Sequence, residues 1–174
     1  ANKALYDVEK GNFDKLIDSL ILSYSEFENM VGVERKHCSY RIYRDVRFSK
    51  NKEPYKTWFS ASFSEGGRRS GFMDYYLHIE PGGKSFLGGG MYSPTPEQMA
   101  KYRQEVDYNG AALRKIVESP QFVSTFGKAE GEMLQKVPKG FDPSPEDAPY
   151  LRRKQLFYWK YYTDKEIQSP DFIS

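Results

Sequence analysis

The chain has 174 residues, with 26 Lys/Arg against 24 Asp/Glu, a formal net charge of +2, 39% hydrophobic residues and 16% aromatics. That length holds a core without covalent staples, and a single domain over residues 1–174 is expected. So even a balance excludes a chain built throughout as a polyanion binder. Cys38 as the only cysteine excludes an internal disulfide or a multi-cysteine metal site, and His37 and His78 alone do not make a histidine-rich one, so no metal is expected.

No run approaches the roughly 18 apolar residues of a membrane span, and no leader pattern stands at Ala1. A cytoplasmic, reducing setting with no membrane partner is the expectation. The charge is uneven, however. Residues 33–70 carry ten Lys/Arg against four Asp/Glu, leaving 16 against 20 elsewhere.

In chain order, Leu5, Val8, Leu16, Ile17, Leu20, Ile21, Tyr24 and Phe27 recur at helical spacing and predict a helix over about 3–30, broken or kinked at Gly11-Asn12. Four strand-like runs follow, at 39–49, 57–64, 72–80 and 85–92, joined by hairpin-length turns such as SEGGRRSG and PGGK. Thr95 as N-cap, Pro96 at the first helical position and Gln98 three residues after the cap open a helix over 96–118. Its inward stripe is Met99, Tyr102, Val106, Leu113 and Ile116. Short segments follow at 121–126, 132–137 (strand) and 145–153 (helix), then the strand-like run QLFYWKYYT and a helical turn at 164–168. The pattern predicts an α+β fold, an antiparallel meander of four or more strands with helices packed on one face.

Alternation divides each strand into two faces. The apolar side takes Phe59, Ala61, Phe63, Met73, Tyr75, Leu77 and Ile79; the other side takes Arg41, Tyr43, Asp45, Arg47, Trp58, Ser60, Ser62, Asp74, Tyr76, His78 and Glu80. The plain reading of that second face is a solvated surface stitched by ion pairs, each worth a few tenths to about 1 kcal/mol. The sharper reading is a ligand site, favoured by Trp58 and tyrosines where smaller polar groups would serve. Arg44 falls on the apolar side of the first run, where it is expected as a structurally paired, buried charge. Gly88-Gly89-Gly90 matches neither GxGxxG nor GxxxxGK[ST], so a close backbone crossing is expected there rather than a phosphate loop.

The runs RIYRDVRFSKNKEPYKT (41–57), YYLHIEPGG (75–83), FLGGGMYSP (86–94) and PKGF (138–141) resemble a family found in bacteria and fungi and catalogued as domain of unknown function twenty-four sixty-one. The resemblance covers nearly the whole chain. It supplies a residue pattern and no mechanism, cofactor or partner. Members carry more chain upstream of the segment matched here by Asn2-Lys3 and Tyr6, which implies a first helical segment outside this sequence.

Three functions remain open on these residues. In the first, Arg41, Arg47, Lys52 and Lys56 hold a small phosphate- or carboxylate-bearing anion, Asp45 orients an arginine, and Trp58 or Tyr76 stacks on a ring. In the second, His78 works with Asp45 or Glu80 as acid and base of an enzyme. The third, a nucleic-acid or protein-interaction module, draws on the 33–70 charge excess and is disfavoured for nucleic acid, because Asp74 and Glu80 on the shared face would neutralise the arginines.

Overall fold

The computed structural model describes residues 2–142 and 144–173. In chain order they form α1 (Lys3–Tyr24), α2 (Arg35–Cys38), β1 (Phe59–Phe63), β2 (Asp74–Ile79), β3 (Ser85–Met91), α3 (Pro96–Val117), α4 (Pro120–Phe126), α5 (Ala148–Leu151), β4 (Leu156–Tyr162), α6 (Asp164–Ile167) and a 3₁₀ turn (Pro170–Ile173). The strands make one sheet of order β1-β2-β3-β4, an antiparallel meander in an α+β fold. The chain divides into two compact units, Ala1–Gly88 with Tyr161–Ser174, and Gly89–Lys160.

The first unit is built on α1. Phe13, Ile17, Leu20 and Tyr24 recur at helical spacing and are buried against Ala61, Phe63 and Leu77 of the sheet. Burying four such side chains contributes about 1.5–3 kcal/mol each, which outweighs the roughly 1 kcal/mol that glycine costs a helix interior. The helix therefore runs unbroken through Gly11, against expectation. It also stops at Tyr24, short of residue 30. Ser25 Oγ donates to the Leu22 carbonyl and competes with helix continuation. Leu5, Val8 and Phe27, expected on the inward stripe, are exposed.

β1 and β2 pair in a register that sets Ser60 against His78, Ala61 against Leu77 and Ser62 against Tyr76. The apolar side is the expected one, except that Met73 lies outside β2 and is exposed. Tyr24 stacks on Tyr75 with ring centroids 4.7 Å apart, and Phe13 stacks on Phe59 at 5.2 Å. One β1 and one β2 side chain, Phe59 and Tyr75, thus face α1 as rings rather than aliphatic groups.

The strand expected over 39–49 does not form. The segment touches β1 only through the Ser39–Ala61 bridge and the bond from Tyr40 N–H to the Ser60 carbonyl, then leaves it. Further on, Lys56 N–H bonds the Ile42 carbonyl and Arg44 N–H bonds the Pro54 carbonyl, with a Tyr43–Tyr55 bridge between them. Ile42 lies two positions beyond Tyr40 while Lys56 lies four positions before Ser60, so the ladder slips and regular pairing ends. Residues 41–56 make a ragged two-sided arm. The fourth strand comes instead from the QLFYWKYYT run as β4.

In the second unit, α3 begins with the expected capping box: Thr95 N–H donates to Gln98 Oε1 (2.7 Å) and Gln98 N–H to Thr95 Oγ1 (3.2 Å). Asn109 leaves helical geometry at φ −140°, and the resulting kink rotates the buried stripe. Val117 is buried and Ile116 is exposed, the reverse of the regular spacing. The strand expected at 132–137 reduces to the Met133–Arg153 bridge. Gly90, at φ +132°, lies where a Cβ would collide with the Leu156 carbonyl and Phe157 Cα, so it marks the close backbone crossing that the glycine run predicts.

Candidate functional site

The polar side of β1 and β2, within the first unit, is not a washed ion-pair surface. Its floor is serine, with Ser60 and Ser62 buried, Ser62 at 0% exposure. Rings lie over it. Trp58 stacks on the His78 imidazole at 5.2 Å, and Phe86 stacks on the same imidazole at 4.7 Å with only 10° between planes. Tyr76 lies 5.8 Å from Phe86, Tyr40 lies 6.1 Å from Tyr76, and Tyr161 lies 5.5 Å from Phe86. Small floor residues are what allow this: a side chain larger than serine at 60 or 62 would lift the rings.

Within that stack His78 is fixed by its edge as well as its faces. Its Nε2 meets Glu80 Oε2 at 3.0 Å, and the two side chains are 12% and 16% exposed. A carboxylate oxygen only accepts, so Nε2 carries the proton and Nδ1, for which no hydrogen-bond partner stands among the described residues, is the basic nitrogen. Glu80 also accepts from Thr57 Oγ1 at 2.9 Å and lies 3.6 Å from Lys84 Nζ. The hydrogen bond with His78, followed by the bond from Thr57 and the charge of Lys84, holds the Glu80 carboxyl below its ordinary range.

Asp74 behaves in the opposite way. Burial raises its pKa, and the hydrogen bond from Ser62 Oγ to Oδ2 offsets only part of the effect. Ser62 in turn accepts from the Tyr40 hydroxyl at 3.3 Å, so Tyr40, Ser62 and Asp74 form one chain beneath the rings.

The cations sort into two groups. Arg47 forms a bidentate pair with Asp45, at 2.9 and 2.6 Å, and this pairing holds Asp45 below its usual range. Lys52 Nζ bonds the Val46 carbonyl at 2.9 Å and so closes the arm's own turn. These two therefore serve the arm. Lys56 differs: its ammonium lies 5.8 Å from the centroids of both Tyr40 and Trp58. Its pKa is lowered by burial and then by the nearby positive charge of Arg41. Among the described residues neither Arg41 nor Lys56 has a carboxylate within ion-pair distance. Arg68, reached from the β1–β2 loop, places its guanidinium 5.6 Å from the other contact of this group, the Tyr40 ring.

Of the residues expected at the site, Lys56, Trp58, Tyr76, His78 and Glu80 are brought together, and Arg41 stands beside Lys56. Asp45, Arg47 and Lys52 are engaged within the arm. Arg44 is half-buried rather than buried, because the strand that would have turned it inward does not form. Ser62, which alternation places on this face, joins them, and Tyr40, Thr57, Arg68 and Phe86 complete the site and were not singled out by the sequence. Phe86 alternates with buried Ser85 in β3, which is a signal of sorts; Arg68 and Thr57 lie outside any strand and leave none.

Other anion-attracting features are already filled. Gly82 and Gly83 turn their amides to Asp164, whose carboxylate accepts at 2.9 and 3.0 Å. A groove of about 690 Å³ along α1 and α2 is lined by Lys10, Arg35 and Lys36, but these pair with Asp14, Asp18 and Glu34. Among the described residues no cluster of three or more His, Cys, Asp or Glu side chains is placed to hold a metal ion, and no helix is long and apolar enough to cross a membrane.

Fold and site together define an α+β protein with a cation- and ring-lined face on an antiparallel sheet. Over residues 1–174 the chain matches the family described as "Conserved hypothetical protein (DUF2461)", and it belongs to that family. No curated protein and no solved structure matches it.

Proposed function

We propose that the protein binds an anionic, phosphate- or carboxylate-bearing ligand at Arg41 and Lys56, over the rings of Tyr40 and Trp58. One observation carries this reading: the Lys56 ammonium, its pKa lowered by burial and then by the charge of Arg41, lies over the Tyr40 and Trp58 rings, and among the described residues neither cation has a carboxylate within ion-pair distance. An anion at that point converts a repulsion into two charge-assisted hydrogen bonds, which are roughly twice as strong as neutral ones. Arg47 and Lys52, part of the sequence-based expectation, drop out because Asp45 and the Val46 carbonyl occupy them.

The test is thermal stabilisation by inorganic phosphate or sulfate. The reading expects a rise in melting temperature that Arg41→Ala with Lys56→Ala abolishes and that Arg47→Ala leaves in place. Stabilisation untouched by the first pair would put the anion elsewhere.

The geometry of His78 supports a second reading, an acid–base enzyme in which Glu80 orients the imidazole and Nδ1 is the base. Asp45 has no part in it, since its carboxylate is committed to Arg47. Here His78→Gln should abolish turnover of an anionic substrate with the fold intact by circular dichroism; unchanged turnover would end this reading.

A further inference from the structure

We infer that the anion held at Arg41 and Lys56 is the backbone phosphate of a single-stranded nucleic acid, with the arm over residues 41–56 as its track. This inference rests on the anion-binding reading above and names its ligand class.

The sequence argues against nucleic acid on one premise, that the acids of the shared sheet face neutralise the arginines. The structure removes the premise. Asp74 is bonded to Ser62, Glu80 to His78 and Thr57, and neither pairs with the arm. The arm itself carries six Lys/Arg against two Asp/Glu. Among the described residues only Arg47 of those six has a carboxylate within ion-pair distance. On this segment, which leaves the sheet edge, Arg41, Arg44, Lys50, Lys52 and Lys56 lack such a pair, although Arg41 lies near enough to add to Arg47 in lowering the Asp45 pKa and Lys52 bonds the Val46 carbonyl.

Rings accompany the cations along the whole arm. Tyr43 and Tyr55 form an exposed pair at 5.3 Å, and Phe48, at 95% exposure, has the Arg47 guanidinium 5.9 Å from its centroid. At the arm's base the Tyr40 ring has the Lys56 ammonium 5.8 Å and the Arg68 guanidinium 5.6 Å from its centroid. Exposed rings alternating with cations suit unstacked bases on a phosphate chain, since each base offers a π-face and each phosphate a charge. An acidic peptide would use the cations and leave the rings idle. A duplex would offer the phosphates with its bases already stacked.

The experiment is fluorescence anisotropy with labelled oligo(dT) and oligo(U) of about 12 nucleotides, across about 50–200 mM salt, with phosphate-induced thermal stabilisation measured in parallel. Four neutralised phosphates predict a slope of log Kobs against log salt of about −3. Arg41→Ala with Lys56→Ala should weaken binding at least about tenfold and flatten the slope by about 1 to 1.5. Tyr43→Ala with Tyr55→Ala should weaken binding with the slope unchanged, the mark of lost stacking, and Lys115→Ala on α3 should change nothing. Phosphate stabilisation without oligonucleotide binding at low salt would overturn this inference and leave the anion site standing. Loss of both would overturn the two together. Displacement by polyglutamate at equal charge, or equal affinity for a duplex, would likewise overturn it in favour of an acidic protein or a base-blind contact.

Discussion

Replacing Trp58 with alanine removes one of the two slabs that enclose His78, and its size can be worked from the contacts. The Trp58–His78 stack at 5.2 Å is of the kind that contributes about 0.5–1.5 kcal/mol beyond area burial. The Lys56 ammonium 5.8 Å from the indole centroid adds about 0.5–1 kcal/mol. Together these give a loss of about 1–2.5 kcal/mol, or roughly 5 °C for a chain of this length. Trp58→Phe keeps a ring over the imidazole and should lose less than half of that. Urea unfolding followed by far-UV circular dichroism, at constant m-value, reads the difference directly. If Trp58→Ala stays within about 0.5 kcal/mol of the parent, the size of an ordinary surface change, the face is solvated and the reasoning from the stack is wrong.

Three further outcomes follow from single residues. Gly67 is buried at φ +80°, and a Cβ there would stand 2.8 Å from both Cβ and the carbonyl oxygen of His37; Gly67→Ala should lose about 2 kcal/mol or more by denaturant unfolding, and a neutral result would contradict that packing. Asp74 binds its proton more tightly folded than unfolded, so it favours the folded state at low pH, and that contribution is lost as pH rises through the raised folded value. The melting temperature of Asp74→Asn should therefore gain on the parent between about pH 4 and pH 7, and the opposite trend would refute the assignment. Cys38 is fully buried with its pKa pushed up to about 11, so a thiol reagent should not react before unfolding; rapid native-state labelling would contradict its place in the core.

The sheet was legible wherever side-chain alternation and burial agree. Tyr75, Leu77 and Ile79 against Tyr76, His78 and Glu80 needed only the period of a strand, and Thr95-Pro96 with Gln98 needed only the chemistry of a helix start. The arm was misjudged for a related reason. Residues 41–47 still alternate between exposed and half-buried, so the period is real, but a period does not supply a pairing partner. The register slip beside Trp58 decides the matter, and it depends on backbone hydrogen bonds that no residue type announces. Similarly, Arg47 and Lys56 look equivalent in the sequence. Asp45 two positions away neutralises the first, while the rings of Tyr40 and Trp58 hold the second without a counter-ion. The stack around His78 of β2 joins Trp58, just before β1, and Phe86 of β3, and only cross-strand register brings both rings to the imidazole.

The claim at the centre of this account is that Lys56, crowded by burial and by Arg41, stands ready for an anion. Nuclear magnetic resonance of the Lys56 Nζ group, titrated with and without inorganic phosphate, tests it most directly. In the free protein Lys56 should titrate below an ordinary lysine, and saturating phosphate should raise its pKa, since a bound anion favours the charged form. An ordinary value that phosphate leaves unmoved would contradict the account.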